Sequence, residues 1–125
     1  MNDTREPQDY LPLTPAMFHV LIVLSEGEHH GYSILKNVQE RAGASARLST
    51  GTLYGIIKRL LSEGLIERVR TARVAGADAR RRIYRLSPFG RRVAEAEAHR
   101  LQHVVGLARR SLLIPDTPMA AEEVD

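Results

Sequence analysis

The chain of 125 residues has no cysteine and no tryptophan, and aromatic residues make up only 5% of it. Without cysteine there is no disulfide framework, no Cys-ligated zinc site and no thiol nucleophile. With two Phe and four Tyr to draw on, the core has to be aliphatic. No apolar run approaches the roughly 20 residues needed to span a bilayer. Residues Met1 to Asp9 are polar and acidic, unlike a signal peptide. These absences point to a soluble cytoplasmic protein with no membrane partner. Catalytic apparatus is missing too. There is no Gly-rich phosphate loop, no nucleophile spaced with a histidine and an acid, and no clustered carboxylates. An enzyme is not expected, nor a cofactor. His99 and His103 have the spacing of a two-histidine metal site, but no third ligand is evident nearby, so no metal is expected.

What the chain does have is positive charge in one place. Residues 47–92 hold twelve Arg and Lys against three acids, Glu63, Glu67 and Asp78, a local balance of +9. The last fourteen residues hold four acids and no base. A concentrated positive region fits a polyanionic partner. A solvated, Arg-rich surface gives the same count, because sixteen of the eighteen bases are Arg.

Within the basic region, Leu48 to Ile66 reads as a short helix with marked ends. Ser49 or Thr50 caps its start, and Gly64 takes the left-handed conformation that ends it. Leu53, Ile56, Ile57, Leu60 and Leu61 form an apolar stripe. The other face carries Thr50, Thr52, Gly55, Lys58, Arg59 and Ser62, all short or basic. Such a face can approach a negatively charged groove closely, as a recognition helix does. Two helices precede it. Leu13-Thr14-Pro15 starts the first, with Thr14 as cap, and Met17, Val20, Leu21 and Leu24 as its buried stripe. Gly27 stops it, and His29-His30 falls in the turn. The second runs from His30 to Arg41, with Ile34, Leu35 and Val38 facing inward and Gly43 at its end. Together the second and third helices make a helix-turn-helix candidate.

The runs Leu65–Arg70 and Arg82–Leu86 are strand-like. A hairpin directly after a recognition helix is a wing. Its Arg73, Arg80, Arg81 and Arg82 would lie along phosphates or enter a minor groove. The same arginines would also protect a solvated edge strand, and the two readings are compatible. Ser87-Pro88 then opens a last helix, which could run to Ser111, roughly 36 Å at 1.5 Å per residue. Ala94, Ala98, Leu101, Val105, Ala108 and Leu112 recur at alternating spacings of four and three. That heptad seam predicts pairing with a second chain, while Phe89, Val93, Leu101 and Val104 face the domain itself. The expected organisation is a flexible arm over 1–12, a winged helix-turn-helix domain over 13–86, a dimerisation helix over 87–112 and a disordered acidic tail over 113–125. The fold class is mainly α with a small β-hairpin.

On these residues the chain resembles the PadR-like family of bacterial winged-helix transcriptional regulators. The likeness is carried by Leu13-Thr14 through Leu24, His30-Gly31-Tyr32-Ser33-Ile34-Leu35, and Leu48-Ser49-Thr50-Gly51-Thr52-Leu53-Tyr54. It continues through Glu63-Gly64-Leu65-Ile66 and Arg82-Ile83-Tyr84-Arg85-Leu86-Ser87-Pro88-Phe89-Gly90. It spans about residues 11–112, and the single final helix matches the family's short subgroup, which dimerises through it. The resemblance implies a homodimeric repressor of a palindromic double-stranded DNA operator, released by a phenolic acid, drug or other small apolar or aromatic effector. It implies that Ser49, Thr50, Thr52, Tyr54 and Lys58 meet the major groove and its phosphates. Tyr32 would lie near the backbone, and Arg80, Arg81 and Arg82 would serve the wing. Two departures are visible: the chain lacks the Trp some members stack on an aromatic effector, and the wing is alanine-rich. Tyr54 also reads as a core tyrosine with its hydroxyl at the surface. The competing function is a winged-helix module that docks on another protein and ignores DNA. The basic recognition face and wing favour DNA, because a docking face would expose more apolar area.

Overall fold

The computed structural model describes residues 4–43, 48–69 and 82–115. Its elements in chain order are a short 3-10 helix (Pro7–Tyr10), α1 (Pro15–Ser25), β1 (His29–His30), α2 (Gly31–Ala42), α3 (Thr50–Ser62), β2 (Ile66–Arg68), β3 (Ile83–Leu86) and α4 (Pro88–Arg110).

Local chemistry sets the helix starts. Thr14, Ser49 and Ser87 each accept a hydrogen bond from the backbone N–H three residues on, at Met17, Thr52 and Gly90. Pro15 and Pro88 stand just inside α1 and α4, where a missing N–H costs nothing. Gly64, at φ 76°, ends α3 as expected, and the Leu65 N–H reaches back to the Leu60 carbonyl. The core is aliphatic. Val20 and Leu21 of α1, Ile34 and Val38 of α2, and Leu53, Ile57 and Leu60 of α3 close on Leu65, Ile66, Tyr84, Phe89 and Val93.

The hairpin is antiparallel, with Ile66 opposite Leu86, Glu67 opposite Arg85 and Arg68 opposite Tyr84. Arg85 Nε donates to Glu67 at 3.1 Å across the ladder. The sheet has a third strand, in the order β1-β3-β2, that the sequence reading lacked. His29 and His30, expected as a solvated turn, instead pair with Tyr84 and Ile83 and are half-buried.

Three further expectations change. Residues 4–12, read as part of a flexible arm, pack onto the body. Tyr10 meets Phe89 edge to face at 5.4 Å between ring centres, and Arg5 stacks over Phe89 at 4.1 Å. Arg5 Nη1 also donates to the Glu63 carbonyl at 2.6 Å, which ties this segment to the end of α3. The last helix stops at Arg110, so Leu112 lies past it, with φ 66°, outside the helical register of the seam. Ala94 packs partly against the core, whereas Val104, expected to face the body, is 45% exposed. Within the seam, Leu101 and Ala108 are half-buried, and Ala98 and Val105 are exposed. The acidic tail from residue 116 onward lies outside the described residues.

The start of α4 fits against the turn after α3. Ser87 Oγ donates to the Gly64 carbonyl at 2.6 Å and accepts the Gly90 N–H at 2.9 Å. A Cβ added at Gly90 would come within 1.8 Å of the Leu65 carbonyl oxygen, so only glycine permits this approach.

Candidate nucleic-acid interface

α3 buries Leu53, Ile57 and Leu60 and leaves the opposite side to solvent. Ser49, Thr50, Gly51, Thr52, Tyr54, Gly55, Lys58, Arg59 and Ser62 are all exposed. An added Cβ at Gly51 or Gly55 would meet nothing within 4 Å, so the surface is shallow and open there. The first turn is held by a hydroxyl pair. Ser49 Oγ accepts the Thr52 N–H at 3.1 Å and donates to Thr52 Oγ1 at 3.0 Å. The Thr52 hydroxyl therefore keeps its own proton free to donate outward. Arg59 pairs with Glu63 one turn on, at 3.3 Å, which partly neutralises it. Lys58 has no acid partner among the described residues and presents a free ammonium on the same surface.

Tyr54 bridges α3 and α2. It is 46% exposed, and its hydroxyl end lies against the first residue of α2. A Cβ at Gly31 would come within 2.5 Å of the Tyr54 oxygen and 2.9 Å of Cε1 and Cζ. The ring thus rests on a site that only glycine leaves vacant. The surface-hydroxyl reading of Tyr54 and its place beside the exposed residues of α3 are both compatible with this geometry. Tyr32, next to Gly31, is 65% exposed. The start of α2 is capped by His30, whose Nδ1 accepts the Ser33 N–H at 3.3 Å, and His29 Nδ1 bonds Ser33 Oγ at 2.8 Å.

From the wing, Arg82 is exposed beside the start of β3 and has no acid partner among the described residues. Arg73, Arg80 and Arg81 lie outside the described residues. The geometry therefore gathers Tyr32 and Tyr54 at the α2–α3 junction, and sets Ser49, Thr50, Thr52 and Lys58 along one side of α3. The sequence reading missed Gly31 as the seat for Tyr54. The one signal was a glycine inside a helical stretch, a costly choice that a close contact can explain. It also missed Glu97 on α4, which is 1% exposed. Its carboxylate accepts the Leu13 N–H at 2.9 Å and the Arg100 Nε at 2.6 Å. The Arg100 bond holds the Glu97 carboxyl below its ordinary range. Burial opposes that shift, and the Leu13 N–H adds to it. Among the described residues no helix is long and apolar enough to cross a membrane, and no group of three or more metal-binding side chains occurs.

Known proteins share this arrangement. A 37.1 kDa transposon protein of Streptomyces fradiae, itself uncharacterized, is 34% identical over 101 residues. Those residues are 81% of this chain but 27% of that protein, so the chain spans about a quarter of the relative's length. A PadR family transcription regulator from Clostridium difficile superposes with a TM-score of 0.63 at 28% identity, over 76% of this chain and 97% of that one. Bacillus subtilis PadR, solved in complex with operator DNA, superposes with a TM-score of 0.58 at 25% identity. That match covers 68% of this chain and 46% of the Bacillus chain. The family model for PadR-like transcriptional regulators, a family of regulators and not of enzymes, matches residues 20–96. By that match, over more than half its length, the chain belongs to the PadR-like family of transcriptional regulators.

Proposed function

We propose that the protein is a cytoplasmic, homodimeric repressor that binds a palindromic operator and releases it when a small apolar or aromatic effector binds. The observation that carries this is the open side of α3, with short side chains, two surface glycines and Lys58, which has no acid partner among the described residues. In this reading α3 enters the major groove. Thr52 donates to a base edge or phosphate, Lys58 reaches a phosphate or guanine, and Ser49 and Thr50 line the approach. Tyr32 and Tyr54 meet the backbone from the α2–α3 junction. Arg73, Arg80, Arg81 and Arg82 follow the phosphates along the wing. The seam on α4 supplies the second copy, because a palindrome requires two recognition helices related by a two-fold axis. The complex of Bacillus subtilis PadR with operator DNA supports the DNA partner.

The test is a salt titration of DNA binding. Footprinting the full chain on its upstream DNA, with and without a panel of small aromatic compounds, locates the site and reveals release. Arg80→Ala with Arg81→Ala should weaken operator and random duplex alike and flatten the salt slope by roughly 1–2. Thr52→Ala or Lys58→Ala should cost about 1–3 kcal/mol on the operator and little on random DNA. Indifference of the wild type to any duplex at low ionic strength would overturn the reading and leave a protein-docking module in its place.

A further inference from the structure

α4 is docked along only part of its length. Its buried residues are Phe89, Gly90, Val93 and Glu97, and Glu97 is the last of them. Beyond it, Val104, Val105 and Leu107 are exposed. The free part of α4 therefore leaves the body past Glu97, with Leu101 half-buried one turn on.

That last anchor is unusual in kind. Glu97 Oε2 accepts the Leu13 N–H at 2.9 Å and Arg100 Nη2 at 3.0 Å, and Oε1 accepts Arg100 Nε at 2.6 Å. Leu13 immediately precedes Thr14, the cap of α1. One carboxylate thus joins the last docked turn of α4 to the start of α1. Burying a charge is costly, and an apolar side chain of similar volume generally holds two segments together as well or better. Apolar packing holds a helix crossing angle only to within about 15–20°, whereas a hydrogen bond weakens steeply with angle and length and holds it more tightly. The same N-terminal segment is pinned at a second point on α4, because Arg5 and Tyr10 pack on Phe89.

We propose that Glu97 is a positioning residue. Its bond to Leu13 sets the angle at which α4 leaves the body, and through that angle the separation of the two α3 helices in the dimer and the half-site spacing the protein accepts. The proposal rests on the homodimeric DNA-binding reading above. The magnitudes suit the role. From Glu97 to Arg110 the helix runs about 20 Å, so a tilt of about 10° moves its tip by about 3.5 Å. One base pair rises by about 3.4 Å. Freedom of about 10° at Glu97 is enough to blur the reading frame between half-sites by one base pair.

The experiment measures that separation directly. The chain has no cysteine, so Thr50→Cys places a single spin label on each copy, at the start of α3. Pulsed electron paramagnetic resonance on the full-length, DNA-free dimer should give one narrow distance between labels. Adding Glu97→Leu, or the more pliant Glu97→Met should leucine fail to pack, should broaden or shift that distance by several ångströms while helix content shows the protein still folded. Glu97→Gln, which still offers an oxygen to Leu13, should stay close to the parent. In parallel, sites selected by the wild type from a random duplex library are re-spaced by one inserted base pair. The wild type should lose about tenfold in affinity and Glu97→Leu less than about threefold. A parental distance distribution together with a parental spacing penalty in Glu97→Leu would overturn the proposal and leave Glu97 a structural filler. A wild type that gives no inter-label distance would instead overturn the homodimer, and the proposal with it.

Discussion

At Gly31 the absence of one methyl group places Tyr54. The three atoms nearest an added Cβ all belong to the far end of the Tyr54 side chain. The ring can swing away, so Gly31→Ala should cost at most about 1 kcal/mol of stability. It should nevertheless lower operator affinity roughly tenfold, because Tyr54 would leave the α2–α3 junction. Thermal melting and operator titration on the same variant separate the two effects. Equal losses in both would mean that Gly31 serves packing alone. Glu97 makes a prediction in pH. Its carboxyl is held below the ordinary value of 4.5, chiefly by Arg100, so the unfolded chain takes up its proton first as the solution is acidified. The stabilisation by ionised Glu97 is full above that value and is lost as the pH falls through the depressed one. The stability gap between wild type and Glu97→Gln should therefore be constant near neutrality and shrink below about pH 4.5. Urea unfolding at a series of pH values measures it, and a gap that widens in acid would contradict the assignment.

Among the elements, those that depend on local signals were legible in the sequence. Thr14 and Ser87 cap the helices they were expected to cap, and Ser49, one of two candidates with Thr50, caps α3, because a cap needs only a hydroxyl and an N–H three residues on. The exposed side of α3 was legible for the same reason, since periodicity alone separates Leu53, Ile57 and Leu60 from Thr52 and Lys58. What escaped depends on partners far along the chain. Nothing in His29-His30 announces a strand, because its ladder comes from Tyr84 and Ile83. Nothing in Arg5 announces the Glu63 carbonyl. Glu97, one acid on a polar helix, resembles any solvated residue until Leu13 is brought beside it. The junction of α3 and α4 yields its own prediction. Ser87 is buried, and its hydroxyl both caps α4 and donates to the Gly64 carbonyl. Ser87→Ala should cost about 2 kcal/mol, above an ordinary cap, because it leaves a carbonyl and an N–H without their partner. Denaturant unfolding checks this, and a loss under about 0.5 kcal/mol would mean water takes the place of the hydroxyl.

For the whole molecule, the proposed function requires that one small winged body acquire the two-fold symmetry of a palindrome. Its apolar surface is unevenly placed. The α3 side is hydrophilic, while Val104, Val105 and Leu107 lie 40–45% exposed on the part of α4 that the body does not cover. Val104 and Val105, three and four residues past Leu101, share its face of α4 and make the surface two copies would join to remove from water. Val105 allows a clean test, because it takes no part in the monomer's core. Val105→Asp should leave the folded monomer intact, with unchanged helix content and a melting temperature no longer dependent on concentration. In the dimer the same carboxylate would be buried against apolar neighbours without a partner, a penalty of several kcal/mol. Sedimentation should therefore report a monomer at concentrations where the wild type is a dimer. Operator affinity should fall toward that of a single half-site, while the salt slope per bound copy stays near the wild-type value. Leu101→Asp is a poorer probe because Leu101 is half-buried in the monomer and its loss would also strain the fold. A Val105→Asp protein that still sediments as a dimer and still protects a full palindrome would place the seam on another face of the molecule.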